Sequence, residues 1–178
     1  WKKVSTDIWR SKILTHNGPW VKKFEKKLKS TFKLNNAVLV SNCTVGIHST
    51  LKCLDIKNAE VIVTPFTWIA TISPLMWENI KPVFVDINQH TWNIDESKIE
   101  KYINKNTKAI LAVHTFSNPC NIDALQKIAN KYKIKLIFDA AHCAGVKFKG
   151  KSILNYGDFS IASLHATKIL NAAEGGLC

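Results

Sequence analysis

Lys168 closes the run Ser163-Leu164-His165-Ala166-Thr167-Lys168, where two hydroxyls and an imidazole accompany one primary amine. Lysine forms Schiff bases with carbonyls and is nucleophilic only when neutral, so a mixed apolar and hydroxyl setting suits that task. Ser163 and Thr167 could also bind phosphate, and small residues follow in Ala172-Ala173-Glu174-Gly175-Gly176. In a chain this rich in lysine, the alternative is one more surface residue. Asp139 ends the apolar run Leu136-Ile137-Phe138 and precedes Ala140-Ala141-His142. A carboxylate at the end of a buried strand needs a partner, and a protonated pyridine nitrogen would serve. A helix cap or a salt bridge to a lysine would serve as well. His142 reads either as a satisfied core histidine or as a hydrogen-bond donor to a cofactor oxygen.

Two further segments could hold a planar, phosphorylated ligand. Ser41-Asn42-Cys43-Thr44 leaves an apparent strand and opens a helix, so free backbone N–H groups and the positive helix end converge there. The plainer reading is an ordinary N-cap by Asn42 or Thr44. Trp68, after Pro65-Phe66-Thr67, could stack on a planar ring or simply fill the core. Neither GxGxxG nor GxxxxGK[ST] occurs, so a dinucleotide or nucleoside triphosphate site, and with it a nucleotide-binding dehydrogenase, has no support from pattern.

Short β-rich runs alternate with amphipathic stretches, the pattern of strand-helix-strand units and a mainly parallel sheet flanked by helices. The predicted strands are Ala37–Val40, Glu60–Thr64, Pro82–Asp86, Lys108–His114, Lys135–Asp139 and Asp158–Ala162. The predicted helices are Trp20–Phe32, Thr44–Leu54, Thr67–Trp77, Ser97–Asn104 and Asp123–Tyr132. In open sheets of this kind ligands collect beyond the carboxyl ends of the strands, which is where every candidate above falls.

Length and composition fit one α/β domain, with 178 residues of which 46% are apolar. There is no run of apolar residues long enough to span a bilayer, and Trp1-Lys2-Lys3-Val4 lacks the order of a signal peptide. The expectation is a cytoplasmic protein without a membrane partner. Five cysteines show neither a CxxC pair nor metal-ligand spacing, which predicts free thiols and no metal site. The net charge of +12 is spread along the chain rather than gathered, so a solvated surface is expected in place of a nucleic-acid face. A basic, non-catalytic binding protein is the competing class, and it would bind DNA with steep salt dependence. The first residue, Trp1, and the last, Cys178, inside an apparent strand, suggest a chain cut at both ends.

Taken in order, these segments resemble the DegT/DnrJ/StrS sugar aminotransferases, pyridoxal-phosphate enzymes of the aspartate-aminotransferase-like fold (fold type I). The resemblance runs from Asn17-Gly18-Pro19-Trp20 to the last residue. It includes Ser41-Asn42-Cys43-Thr44-Val45, Thr64-Pro65-Phe66-Thr67-Trp68, Lys81-Pro82-Val83-Phe84-Val85-Asp86 and Asn93-Ile94-Asp95, then Asp139-Ala140-Ala141-His142 and Ser163-x-His165-Ala166-Thr167-Lys168. Val113-His114-Thr115-Phe116-Ser117-Asn118-Pro119-Cys120 and Asn155-Tyr156-Gly157-Asp158 look most like the enzymes that aminate nucleotide-linked 4-keto-6-deoxyhexoses. Cys43 stands where the family often has Gly, Cys143 where a small residue is usual, and Leu164 where Phe is common.

The resemblance implies that residues 1–178 form the cofactor-binding large domain and lack a smaller C-terminal domain. It implies pyridoxal 5'-phosphate carried by Lys168, its ring nitrogen paired with Asp139, His142 at the cofactor, and Trp68 stacked on the ring. Ser163, Cys43, Thr44 and Val45 would then bind its phosphate. It further implies glutamate as amino donor, a nucleotide-sugar substrate, a homodimer, and a place in lipopolysaccharide or antigen sugar synthesis. Dehydratases of the same family replace the lysine with histidine, so Lys168 favours transamination, while nearby His165 keeps the dehydratase reading open.

Overall fold

The computed structural model describes residues 2–13 and 17–178; Trp1 and residues 14–16 lie outside it. The core is a seven-stranded sheet whose strands, in chain order, are β1 (Leu39–Val40), β2 (Glu60–Val63), β3 (Lys81–Phe84), β4 (Thr107–Val113), β5 (Lys135–Asp139), β8 (Phe159–Ser163) and β9 (Gly176–Leu177). Their spatial order is β1-β9-β8-β5-β4-β2-β3, with β9 running antiparallel to both of its neighbours and the pairs from β8 through β3 parallel. β6 (Lys147–Phe148) and β7 (Lys151–Ser152) form a separate hairpin.

The helices are α1 (Lys2–Ser11), α2 (Pro19–Phe32), α3 (Cys43–Cys53), α4 (Ile69–Trp77) and α5 (Ile122–Tyr132). The central strands bury both faces, which is why they read as continuous apolar runs. On one face Ile47 and Leu51 of α3 and Leu75 of α4 meet Val61, Val63, Leu111, Ile137 and Ile161. On the other, Leu125, Ile128 and Ala129 of α5 meet Ile110, Ala112, Leu136 and Phe138. Asp139 follows Phe138, so strand alternation turns its side chain to the α3/α4 face. No described helix is long and apolar enough to cross a membrane.

The six predicted strands are all present, their ends shifted by two residues or fewer. Ser97–Asn104 is not an α-helix. Two 3-10 turns, Glu96–Lys98 and Glu100–Tyr102, occupy it, the first capped by Asp95, whose carboxylate accepts the Ser97 N–H. Ile99 anchors the pair in the core, and that single buried anchor in so short a segment is met by tight turns as well as by an α-helix. The hairpin β6–β7 turns through Lys149 and Gly150, both with positive φ, the two-residue geometry that matches strand twist.

Candidate active site

Cavity and helix turns. A cavity of about 730 Å³ opens beyond the carboxyl ends of β1, β2, β4, β5 and β8, and both Asp139 and Lys168 line it. Its floor begins at the turn from β1 into α3. Asn42 caps α3, its Oδ1 accepting the Val45 N–H at 2.9 Å, so the cap reading of this turn is correct. That does not exhaust the turn, because the N–H groups of Cys43 and Thr44 find no protein acceptor among the described residues. They are free donors at the positive end of an eleven-residue helix. Cys43 packs between α3 and the sheet, with Sγ 4.0 Å from the Ile161 carbonyl, and so leaves its own N–H uncovered. Burial, aided by the Asp139 charge, pushes the Cys43 thiol well above its ordinary pKa, and it stays protonated at neutral pH.

Gly176 of β9 lies directly behind this turn. A Cβ there would come 2.6 Å from the Asn42 carbonyl carbon and 2.8 Å from the Cys43 nitrogen, both rigid backbone atoms. Gly176→Ala must therefore push the turn away from the sheet, an overpacking cost of about 1–3 kcal/mol. A thermal melt should show a loss of several degrees in Tm. A Tm within about one degree of the parent protein would contradict this close packing.

Asp139 and its partners. The carboxylate is 6% exposed. Oδ2 accepts the Thr71 hydroxyl at 2.7 Å and Oδ1 accepts the Ala141 N–H at 3.0 Å. No cation lies within salt-bridge distance among the described residues. Burial raises its pKa, while the two hydrogen bonds and the Lys168 charge act the other way. Neither conventional alternative for Asp139, a helix cap or a lysine salt bridge, is what the structure contains. Behind it, His114 is buried, donates its backbone N–H to the Asp139 carbonyl, and stacks on Phe138 at 4.5 Å. The His114 Nδ1 accepts the Cys120 N–H, and burial alone pushes its pKa down to about 3, so this imidazole is neutral.

The loop after β8. Lys168 sits in a turn whose backbone is folded back on β9 by bonds from Leu164, Ala166 and Ala172 to Gly175, Ala173 and Leu164. Ser163 lines the cavity and its Oγ accepts the His165 N–H at 3.3 Å; among the described residues no acceptor takes the Ser163 hydroxyl proton. His165 also lines the cavity, with Nδ1 engaged by Thr167 at 2.9 Å. His142 lines the opposite wall, its ring parallel to Phe116 at 6.5 Å. Burial and the Lys168 charge lower the His142 pKa against the opposing pull of Asp139, so its ring is neutral at pH 7.

Aromatic wall. Trp68 lines the cavity while 78% exposed, so its ring face is free rather than spent on the core. Phe66 and Phe116 line the cavity with their rings 6.2 Å apart, and Phe66 packs on Trp92 at 5.3 Å. Trp92 and Phe116 both have left-handed backbone, and buried Asn93 ties their loops together by accepting the Thr115 N–H and donating to the Asn118 carbonyl.

Of the residues singled out from sequence, Lys168, Asp139, His142, Ser163, Cys43, Thr44 and Trp68 share this cavity. Val45 does not line it, and its N–H is consumed by the Asn42 cap. Phe66, Thr67 and Phe116 lie at strand ends where ligands are expected, while Thr71 and Trp92 are additions that the sequence reading lacks. Thr67 and Thr71 carry a signal, since a four-residue spacing at a helix start puts two hydroxyls on one face. Nothing in sequence marks the left-handed backbone of Trp92 and Phe116.

The family model described as the DegT/DnrJ/EryC1/StrS aminotransferase family matches residues 2–178. The dTDP-4-amino-4,6-dideoxy-D-glucose transaminase of Shigella dysenteriae is 43% identical over 169 residues, 95% of this chain and 46% of that protein. A solved structure of DesI in the presence of its TDP-sugar product superposes with a TM-score of 0.92 at 34% identity, covering 99% of this chain and 45% of that one. The PLP form of the sugar aminotransferase Spr1654 from Streptococcus pneumoniae gives a TM-score of 0.90 at 29% identity, over 97% of this chain and 48% of that one. The chain thus spans about half the length of the relatives it matches. Sequence and fold agree over nearly its whole extent, and this chain belongs to the DegT/DnrJ/EryC1/StrS aminotransferase family.

Proposed function

We propose that this chain is the cofactor-binding part of a pyridoxal-phosphate aminotransferase that transfers an amino group to a keto-deoxysugar linked to a nucleotide. The observation that carries the reading is Asp139, a buried carboxylate held only by neutral donors, in one cavity with the Lys168 amine. A buried anion without a cation is costly, and a ligand bearing a protonated ring nitrogen relieves that cost. The remaining donors fit the other end of the same ligand: two free N–H groups at a helix start, the Thr44 and Ser163 hydroxyls, and an exposed Trp68 face. The names of relatives support the substrate class, including dTDP-4-amino-4,6-dideoxy-D-glucose transaminase and GDP-perosamine synthase.

When bound, pyridoxal phosphate supplies a protonated pyridine ring that draws off the electron pair left on a carbon after proton loss. Lys168 would hold it covalently through Nζ, and the same Nζ, as a free amine, would accept and return the substrate proton. Asp139 Oδ atoms keep the proton on the ring nitrogen. His142, neutral at pH 7, donates to a ring oxygen. The helix start at Cys43 and Thr44, with Ser163, binds the phosphate dianion. A lysine at position 168, where dehydratases would carry histidine, supports amino transfer over dehydration.

Glutamate is the proposed amino donor, and a cytoplasm the proposed location, consistent with five free thiols. A homodimer is supported by the outward face of α4, where Ile69, Met76 and Trp77 leave an apolar stripe exposed. Lipopolysaccharide or antigen sugar synthesis is the proposed setting. Adding pyridoxal phosphate to the full-length protein should produce a visible absorbance band that glutamate then bleaches. A protein that gives no band, or a band that no amino acid bleaches, would overturn the proposal.

The Asn42 cap provides a milder check. Asn42→Ala removes the bond to Val45 N–H and should cost about 1 kcal/mol of stability. Cofactor affinity should fall with it, read by titrating the absorbance band, because the first turn of α3 frays where the phosphate would bind. An unchanged affinity would separate the cap from the phosphate site.

A further inference from the structure

We infer that Thr67 and Thr71 form an oriented hydroxyl relay that keeps the buried Asp139 carboxylate ionised, which makes Thr71 a positioning residue for the ring nitrogen that Asp139 would hold. The identity of that ring rests on the function proposed above; the relay itself is read from contacts within the chain. Thr71 Oγ1 lies 2.7 Å from Asp139 Oδ2, and Thr67 Oγ1 lies 2.7 Å from Thr71 Oγ1. Thr71 is 1% exposed, so no solvent competes for its hydroxyl.

An ionised carboxylate can only accept, so the single Thr71 proton points at Oδ2. The Thr71 oxygen must then accept from Thr67, itself a residue of the cavity lining. A helical threonine ordinarily bonds back to a carbonyl one turn earlier, whereas Thr71 spends its hydroxyl on the sheet. Each bond in such a chain polarises the next in a low-dielectric interior. With the Ala141 N–H on Oδ1, both carboxylate oxygens are held, and the head group is fixed in orientation as well as in charge.

The groups facing Asp139 come from four elements. Thr71 is on α4, Cys43 on α3, His142 and the buried thiol of Cys143 in the segment after β5, and Lys168 in the loop after β8. The Cys43 thiol and the His142 ring are neutral, and Lys168 favours the ionised form at a distance. Thr71 and Ala141 are the donors in direct contact. Removing the Thr71 hydroxyl makes Asp139 a stronger base, and a proton shared with a ring nitrogen would shift toward the carboxylate. The ring would then draw electrons less well, with little change in what binds.

The test is a carbon-13 NMR titration of the Asp139 carboxylate in the full-length, cofactor-free protein, its signal identified by loss in Asp139→Asn. Thr71→Val should raise the midpoint by about one pH unit, a tenfold gain in proton affinity, as expected for one lost hydrogen bond to a charge. Thr71→Ser should restore it, and Thr67→Val should move it the same way by less. A Thr71→Val midpoint equal to that of the parent protein, with only a lower Tm, overturns the relay and leaves a packing role. If Thr71→Val does not fold, Thr67→Val decides, and an unmoved midpoint there also overturns it. Pyridoxal phosphate added in a separate experiment reports on the proposed function alone: a shifted titration without cofactor binding keeps the relay and sinks the enzyme.

Discussion

Replacing Lys168 with alanine is expected to lower the rate of amino transfer by at least about 10⁴-fold, since it removes both the covalent anchor and the proton-transfer group. The fold should survive, because the side chain is partly exposed and its hydroxyl and imidazole neighbours bond to one another rather than to it. Pyridoxal phosphate should still bind, more weakly, through the helix start of α3 and Asp139, without the absorbance of a lysine-bound form. Rapid-mixing kinetics with the glutamate half-reaction would give the number. A variant within roughly tenfold of the parent rate would show that another group moves the proton.

Asp139→Asn should have the second largest effect and carries opposite signs for activity and stability. An amide cannot hold a proton on a ring nitrogen by charge, so the rate should fall by roughly 10²–10⁴-fold, the range for a misplaced acid–base function. Stability without cofactor should move the other way. The pKa of Asp139 is raised in the folded state, so the folded protein binds a proton more tightly than the unfolded chain at this site. Its ionisation therefore destabilises the fold, an effect absent below the ordinary aspartate pKa of 3.8 and growing as pH rises toward the folded value. The substituted amide carries no charge to desolvate, and the hydroxyls of Thr71 and Thr67 can reverse to accept from its NH₂ group. At pH 7 the cofactor-free variant should melt at or above the parent temperature, while the cofactor-loaded parent should melt above the loaded variant. A cofactor-free variant clearly less stable than the parent would mean that Asp139 serves the fold before it serves a ligand.

Such an opposition between stability and function would separate Asp139 from an ordinary structural carboxylate, and a carboxylate of that kind is only partly readable from residues alone. The ends of β1, β2, β4, β5 and β8 are legible because buried parallel strands announce themselves as apolar runs and their carboxyl ends are where ligands go. Asp139, His142, Ser163 and Lys168 follow from that rule plus side-chain chemistry. A strand at Gly176–Leu177 is legible, but its insertion between β1 and β8 is not, since the reason for Gly176 is a contact with Asn42 distant in sequence. The 3-10 turns at Glu96–Tyr102 escape for a different reason: Ile99 at the core satisfies a helical pattern and a tight turn equally well. Val45 is a phosphate candidate from sequence because the turn reads the same whether its N–H serves a ligand or the Asn42 cap, and the bond at 2.9 Å gives that N–H to the cap. The Thr67 and Thr71 pair is present as spacing, but its meaning depends on Asp139 arriving from another strand.

Covalent capture addresses the central claim most directly. Full-length protein loaded with pyridoxal phosphate, reduced with borohydride and digested, should carry one pyridoxyl group on the peptide that contains Lys168, and Lys168→Ala should carry none there. A pyridoxyl group found chiefly on a different lysine, or spread over many, would contradict the assignment of this cavity as the cofactor site.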